Sequence, residues 1–209
     1  MMAGLRNHLP SAAFVVVFLL VIAAVTGAFV YTGIYNIGAD APHSRLVYGL
    51  LQELREKAIA RGARDIRVPG DLNDPKRVAA GAGLYQEMCT GCHLGPGIEP
   101  SEMSQGLYPS APNLARTDLS PAEQFWTMKH AVKLTAMPAW GKTHSDELIW
   151  DMVAFIQKLP KMSPDQYKKI VASAPEDHEE MMEGMHGGQS TTLPRGRTGT
   201  IHSPPGRAS

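Results

Sequence analysis

The stretch Cys89-Thr90-Gly91-Cys92-His93 decides the fold of this chain, and it contains the only two cysteines among the 209 residues. Two thiols separated by two residues, with a histidine directly after the second, form the attachment pattern of a c-type haem. Cys89 and Cys92 would add to the two vinyl groups at one edge of the haem, and the imidazole of His93 would point at the iron. The stretch therefore predicts one covalently attached haem c, with His93 as an iron ligand.

Two other uses of a Cys-x-x-Cys pair have to be weighed against haem attachment. A zinc site needs about four protein ligands, and the chain has no second cysteine pair. A thioredoxin-like redox pair sits at a turn between a strand and a helix, whereas the residues before Cys89 have a helical pattern. Haem attachment is therefore the favoured interpretation.

Composition places few limits on function. Lys plus Arg and Asp plus Glu both number 20, so no excess of either charge indicates a nucleic-acid partner. The 16 prolines and 20 glycines concentrate in loops and in the tail, which reduces the length of chain available to helices and strands.

The amino-terminal region predicts a membrane anchor. Residues 1–10 carry Arg6, and residues 11–35 have no charged side chain. A helix of about 20 apolar residues is long enough to span a bilayer. We expect a cytoplasmic amino end at 1–10 and a transmembrane helix within 11–35, with the surrounding lipid bilayer as a partner.

A cleavable signal peptide is the alternative for the same segment. The triplet Ala39-Asp40-Ala41 has the small-x-small pattern of a cleavage site. The apolar run is longer than the core of a typical signal peptide, about 7 to 15 residues, and Pro42 would hinder cleavage directly after Ala41. A retained anchor is therefore preferred.

The basic residues on the two sides of the apolar segment favour opposite orientations in the membrane. Arg6 and the amino terminus favour a cytoplasmic amino end, whereas the basic residues within 43–67 argue for the opposite arrangement. Covalent haem attachment is characteristic of the periplasmic side in bacteria, and this outweighs the charge difference. The prediction is a single-pass protein of the bacterial inner membrane with its haem domain in the periplasm.

Residues 36–73 predict an amphipathic juxtamembrane helix and a linker. Apolar side chains recur at helical spacing in 43–61: Leu46, Val47, Leu50, Leu51, Leu54 and Ala58. The helix could lie in the lipid interface, pack against a partner's membrane helix, or simply link the anchor to the haem domain. The glycines and prolines that follow, within 62–74, indicate a hinge.

The helix before the haem motif resembles the class I cytochrome c family. Asp74-Pro75 has the cap and first-turn proline of a helix start, and the helix should run to about Met88. Gly81 and Tyr85 lie eight and four residues before Cys89, where the family has a small residue and an aromatic. The resemblance covers about residues 74–160 and implies an all-α, cytochrome c-like fold in which Gly81 meets Phe155 of the last family helix. With the short helix that follows, the predicted domain is 74–173.

Two further segments carry the resemblance. Ala111-Pro112-Asn113-Leu114 is similar to the family's Gly-Pro-x-Leu segment, and this implies that the carbonyl of Pro112 accepts a hydrogen bond from the ring N–H of His93. Met137-Pro138 resembles the family's Met-Pro segment. It implies that Met137, ahead of Met103 and Met128, is the second iron ligand, and thioether ligation raises the potential of haem iron.

Three more helix starts follow along the chain. Ser120-Pro121 predicts a helix to about Leu134, with Trp126 as a candidate cover for a haem edge. Ser145 predicts a helix to about Leu159. Ser163-Pro164 predicts a short extra helix to about Ala172, beyond the usual family end.

A haem with ligands on both faces has no vacant position for substrate, so we expect an electron carrier and not an enzyme. Its partners would be a donor and an acceptor redox protein, with a membrane oxidoreductase complex as one candidate. A haem protein with an open site for gas binding or peroxide reduction is the alternative.

A third possibility is copper handling by the tail 174–209, which is otherwise predicted to be disordered. The soft ligands of this tail are His178, Met181, Met182, Met185 and His186.

Overall fold

Residues 11–174 are described by the structure, a computed structural model. All of the regular secondary structure in this range is helical, as predicted. The α-helices are α1 (Ala12–Thr32), α2 (Arg45–Ala63), α3 (Pro75–Met88), α4 (Thr90–His93), α5 (Glu102–Gln105), α6 (Pro121–His130), α7 (Asp146–Ile156) and α8 (Pro164–Ala172). Single 3-10 turns lie at Leu114–Arg116, Trp140–Lys142 and Leu159–Lys161.

Helix α1 stands apart from the rest of the described chain. Its first turn is capped by Ser11, whose hydroxyl accepts a hydrogen bond from the amide of Phe14, and it ends at Gly33 in a left-handed conformation that glycine adopts without strain. None of its 21 residues is buried. Its length and apolar composition suffice to cross a bilayer, so α1 is a candidate membrane span.

The crossing of α3 and α7 organises the globular part of the chain. Helix α7 contributes eight buried residues, and it passes so close to Gly81 that a Cβ there would clash with the carbonyl of Asp151 and lie 3.0 Å from the Cβ of Phe155. The rings of Tyr85 and Phe155 meet with centroids 5.3 Å apart. The predicted crossing at Gly81 is therefore confirmed.

An ion-pair network fastens one end of this crossing. The guanidinium of Arg77 on α3 lies 2.7 Å from Asp151 and 3.1 Å from Glu147, both on α7, and 3.0 Å from Asp71 in the preceding segment. Burial raises the pKa of the Asp151 carboxyl to about 6; Arg77 opposes this shift, and the carboxylates of Glu147 and Asp71 add to it. The network joins three segments at a half-buried position.

The segment predicted as a hinge is fastened to the helical core. Leu72 is buried in the core, and Ile66 is half-buried against it. Helix α2, upstream, buries Ile59 and Ala63. Gly62 of α2 lies directly against the indole of Trp126. Trp126 therefore packs against α2, and its role as a cover for a haem edge stays a prediction.

Two helices end earlier than predicted. Helix α6 stops at His130 instead of about Leu134, because Ala131 turns the chain with a positive φ of 59°. Leu134, the predicted end of this helix, lies beyond it and is 98% exposed. The 3-10 turn at Trp140–Lys142 brings Gly141 against Lys129, so the chain after α6 returns to the last turn of this helix. Helix α7 ends at Ile156, followed by a turn at Leu159.

The extra helix α8 is confirmed and belongs to the core. It begins with a capping box formed by Ser163 and Gln166. Tyr167 is buried; its hydroxyl lies 2.9 Å from the side-chain oxygen of Gln86 on α3, and its ring packs directly against Gly95 just after the haem motif. Helix α8 therefore supports both α3 and the loop that follows the motif.

We expect Gly81→Ala to lower the free energy of unfolding by about 1–3 kcal/mol, the usual cost of overpacking a tight core. The matched control is Gly49→Ala in α2, where an added Cβ meets nothing within 4 Å and alanine favours the helix. Denaturant unfolding of the holo-protein measures both. Equal stability of the two variants would contradict the close crossing.

We also expect the network around Asp151 to make stability depend on pH. The ordinary pKa of this group is 3.8 and its folded pKa is about 6, so the folded chain binds the proton more tightly and the free energy of unfolding falls as pH rises through this window. Compared with Asp151→Asn, the unchanged protein should lose about 1–3 kcal/mol between these two pH values. Unfolding curves measured across the window test this, and parallel pH profiles for the two proteins would contradict it.

Candidate functional site

The haem motif continues the helical path of α3. The amide of Cys89 donates to the carbonyl of Tyr85 at 2.9 Å, and the amide of His93 donates to the carbonyl of Cys89 at 2.8 Å. Residues three and four apart share one face of a helix. Helical geometry therefore places Cys89, Cys92 and His93 on one side of a single turn.

The two thiols differ in their surroundings. Cys89 is buried and Cys92 is half-buried, and they are not joined by a disulfide. Burial raises the pKa of the Cys89 thiol to about 12. Redox-active Cys-x-x-Cys pairs depend on a lowered thiol pKa, so this environment does not suit a thioredoxin-like role. Within 11–174 no group of three or more His, Cys, Asp or Glu side chains is placed to hold a metal ion, which leaves the zinc alternative without ligands there.

The ring of His93 is held in one orientation. Its Nδ1 lies 2.8 Å from the carbonyl oxygen of Pro112, the contact that the family resemblance implies, although Ala111 replaces the usual glycine. Because a carbonyl can only accept, Nδ1 carries the proton and Nε2 keeps a free lone pair. Burial lowers the pKa of the imidazole, although the bond to Pro112 opposes this shift, so the neutral ring that metal coordination requires is favoured.

Tyr85 and Leu94 fix the exit from the motif. Leu94 has a positive φ of 58°, which turns the chain sharply away after His93 and leaves its carbonyl pointing back towards α3. The hydroxyl of Tyr85 donates to this carbonyl at 2.7 Å. The aromatic residue predicted to pack at the helix crossing thus also holds the backbone of the motif, a role that sequence reasoning missed.

The three methionines considered as iron ligands have different environments. Met128 is buried in the core on α6, and Met103 is 62% exposed with its sulfur 3.4 Å from the sulfur of Cys92. Met137 is half-buried in the loop between α6 and α7 and packs against the core cluster. Its amide donates to the hydroxyl of Thr135, so the backbone of this loop segment is held in place.

Half-buried apolar side chains from the helices and loops before and after the motif pack against the core. They include Met88, Ile98, Leu114, Ala115, Trp140 and Met162. The chain also supplies two thiols for covalent attachment, an imidazole nitrogen and a thioether sulfur. The chemistry of these groups fits a haem.

His144 was missed by sequence reasoning. It is 8% exposed, its Nδ1 lies 2.8 Å from the hydroxyl of Thr143, and its ring meets that of Trp140 edge-on with centroids 5.1 Å apart. It supports the segment after Met137. Nothing in the sequence pattern separates this histidine from solvated ones, because its burial depends on the 3-10 turn before it.

A second unpredicted set of contacts joins the end of α1 to the loop after the motif. The hydroxyl of Tyr35 lies 2.6 Å from Nδ1 of His43, and the amide of His43 donates to the hydroxyl of Tyr108 at 2.8 Å. The rings of His43 and Tyr108 meet edge-on at 5.4 Å. Tyr108 lies four residues before Pro112, so this aromatic bridge ends close to the partner of His93.

The soft ligands of the tail, His178, Met181, Met182, Met185 and His186, lie outside the described residues. The copper alternative and the predicted disorder of this tail therefore stay predictions.

Comparison with known families gives one match. The model of a family described as cytochrome C oxidase, cbb3-type, subunit III matches residues 76–156, which run from the start of α3 to the end of α7. Searches of curated proteins and of solved structures gave no match.

We expect Tyr85→Phe to lower the free energy of unfolding by about 1–3 kcal/mol, because it leaves the half-buried carbonyl of Leu94 without its donor. The control is Tyr167→Phe, which removes a hydroxyl bonded to the side chain of Gln86 and leaves the motif backbone untouched. Denaturant unfolding compares the two variants. A Tyr85→Phe protein as stable as the unchanged one would show that this bond does not hold the motif.

Proposed function

We propose that this chain is a membrane-tethered mono-haem cytochrome c that carries single electrons between redox partners, because the family match over residues 76–156 indicates a cytochrome c domain. Haem binding and electron transfer follow from the domain. The number of haems, the iron ligands, the anchor and the partners are the proposal.

The thiols of Cys89 and Cys92 are the proposed attachment points. They lie on one turn of helix, with the packing of α3 on α7 holding that turn in place. When bound, haem supplies one-electron ferric/ferrous chemistry. Covalent attachment adds apolar surface that cannot dissociate from a domain of small size.

His93 and Met137 are the proposed iron ligands. The observation that carries this proposal is the 2.8 Å contact between Nδ1 of His93 and the carbonyl of Pro112, because it leaves Nε2 as the free nitrogen and fixes the plane of the ring. Met137 offers a thioether from a loop that is held by the core. With both ligands in place no coordination position is free for oxygen or peroxide, which favours electron transfer over gas binding or catalysis.

Helix α1 supports the proposed location. It has the length and composition of a membrane span, and we propose that it anchors the chain in the bacterial inner membrane with the haem domain in the periplasm. Tethering raises the effective concentration of the haem near membrane partners. A membrane oxidoreductase complex is the proposed partner, and the oxidase subunit in the description of the matched family supports this choice.

We expect Met137→Ala to abolish the sulfur-to-iron charge-transfer band of the oxidised protein and to lower the reduction potential by on the order of 0.1 V, within the range that axial ligands control. Met103→Ala is the matched control, because Met103 lies beside Cys92 and would leave the band unchanged. Visible spectra and a redox titration of the holo-protein measure both.

The unchanged protein provides the decisive comparison. If its oxidised spectrum lacks the band, or if the band survives in Met137→Ala, Met137 is not a ligand. A high-spin spectrum that shifts on addition of carbon monoxide to the reduced, unchanged protein would favour the open-site alternative.

A further inference from the structure

Helix α2 presents one stripe of side chains that the rest of the described chain leaves uncovered. Its members are spaced four, four, three, four and three residues apart, which keeps them on one face: Leu46, Leu50, Leu54, Lys57, Arg61 and Arg64. The three leucines are 73%, 63% and 65% exposed. The three basic residues are exposed as well, with Lys57 3.5 Å from Glu53. We call this set the α2 stripe.

A different face of α2 holds the helix to the cytochrome domain. Ile59 and Ala63 are buried there, and Gly62 lies against Trp126 of α6. The α2 stripe is therefore not the face that packs on the domain. Exposed leucines in a regular row are costly in water, since each loses the free energy of apolar burial.

The leucine end of the α2 stripe is held close to the end of α1. Tyr35, three residues after α1, is bonded to His43, and His43 directly precedes Ser44, the N-cap of α2. His43 is also hydrogen-bonded to Tyr108. The start of α2 is therefore held both by the segment after α1 and by the loop that contains Tyr108. If α1 spans a bilayer, the leucines begin at the surface of that bilayer.

We infer that α2 lies on the surface of the phospholipid bilayer that α1 spans, with the leucines of the α2 stripe among the outer acyl chains and its basic residues against lipid phosphates. This inference rests on the proposed anchoring by α1. Apolar side chains followed by cations on one face are the pattern that binds an interface carrying anionic lipid. The bilayer is favoured over a second protein because the bridge keeps the leucines beside α1.

The inference is tested by alkylation of single cysteines in the full-length holo-protein, reconstituted as one copy per phospholipid nanodisc. Cys89 and Cys92 are bonded to haem and do not react. Leu50→Cys probes the α2 stripe, and Glu56→Cys probes an exposed position on another side of the same helix. With a charged, water-soluble maleimide we expect Leu50→Cys to react at least ~10-fold more slowly than Glu56→Cys, because a thiol at that depth is shielded by lipid.

A third variant separates this inference from the proposed anchor. Val21→Cys lies in the middle of α1 and should not react if α1 spans the membrane. Fast reaction of Leu50→Cys beside an unreactive Val21→Cys would overturn the position of α2 and leave the anchor standing. Reaction of Val21→Cys would overturn the anchor and the inference together.

Two further arms identify what covers the stripe. If the thiol of Leu50→Cys reacts slowly with the maleimide only in discs that hold several copies, the α2 stripe is covered by a second copy of the chain. That result would overturn the inference. Shielding should be greater in discs of phosphatidylcholine mixed with phosphatidylglycerol than in phosphatidylcholine alone. Equal shielding in both would overturn the role given to Lys57, Arg61 and Arg64.

Discussion

The close crossing of α3 and α7 at Gly81 is the constraint on which the remainder of the domain depends. It brings the carbonyl of Asp151 to a distance from α3 that no residue with a Cβ allows, and it buries Tyr85 against Phe155. The haem motif is the direct continuation of α3, so the position of its thiols is set by this packing. A side chain at position 81 would therefore disturb the site through the helix that carries it.

The site is built from backbone carbonyls as much as from side chains. The carbonyl of Pro112 orients the ring of His93, and the carbonyl of Leu94 is held by Tyr85. The loop that begins at Leu94 is supported by another helix, since Tyr167 of α8 packs on Gly95. The orientation of the His93 ring thus depends on contacts made by residues several positions away in the chain.

Most of the fold follows from local signals in the sequence. Caps and first-turn prolines located the starts of α3, α6 and α8. The helix crossing at Gly81, which the family resemblance implies, is confirmed by the structure. What could not be predicted depends on contacts between distant segments. Helix α6 ends where Ala131 adopts a positive φ, and no proline or glycine marks this position in the sequence. The direction in which Trp126 packs also depends on a distant segment, because its neighbour Gly62 lies on α2, far away in the chain.

The aromatic bridge from Tyr35 through His43 to Tyr108 has a consequence for motion. A haem domain on a loose linker would swing between partners at different heights above a membrane. Here the chain between α1 and α2 is bonded to the loop beside the haem motif, and α2 is packed on the domain. With α1 in a bilayer, such a domain would travel with its anchor at one height, and it would meet its partners by lateral diffusion in two dimensions.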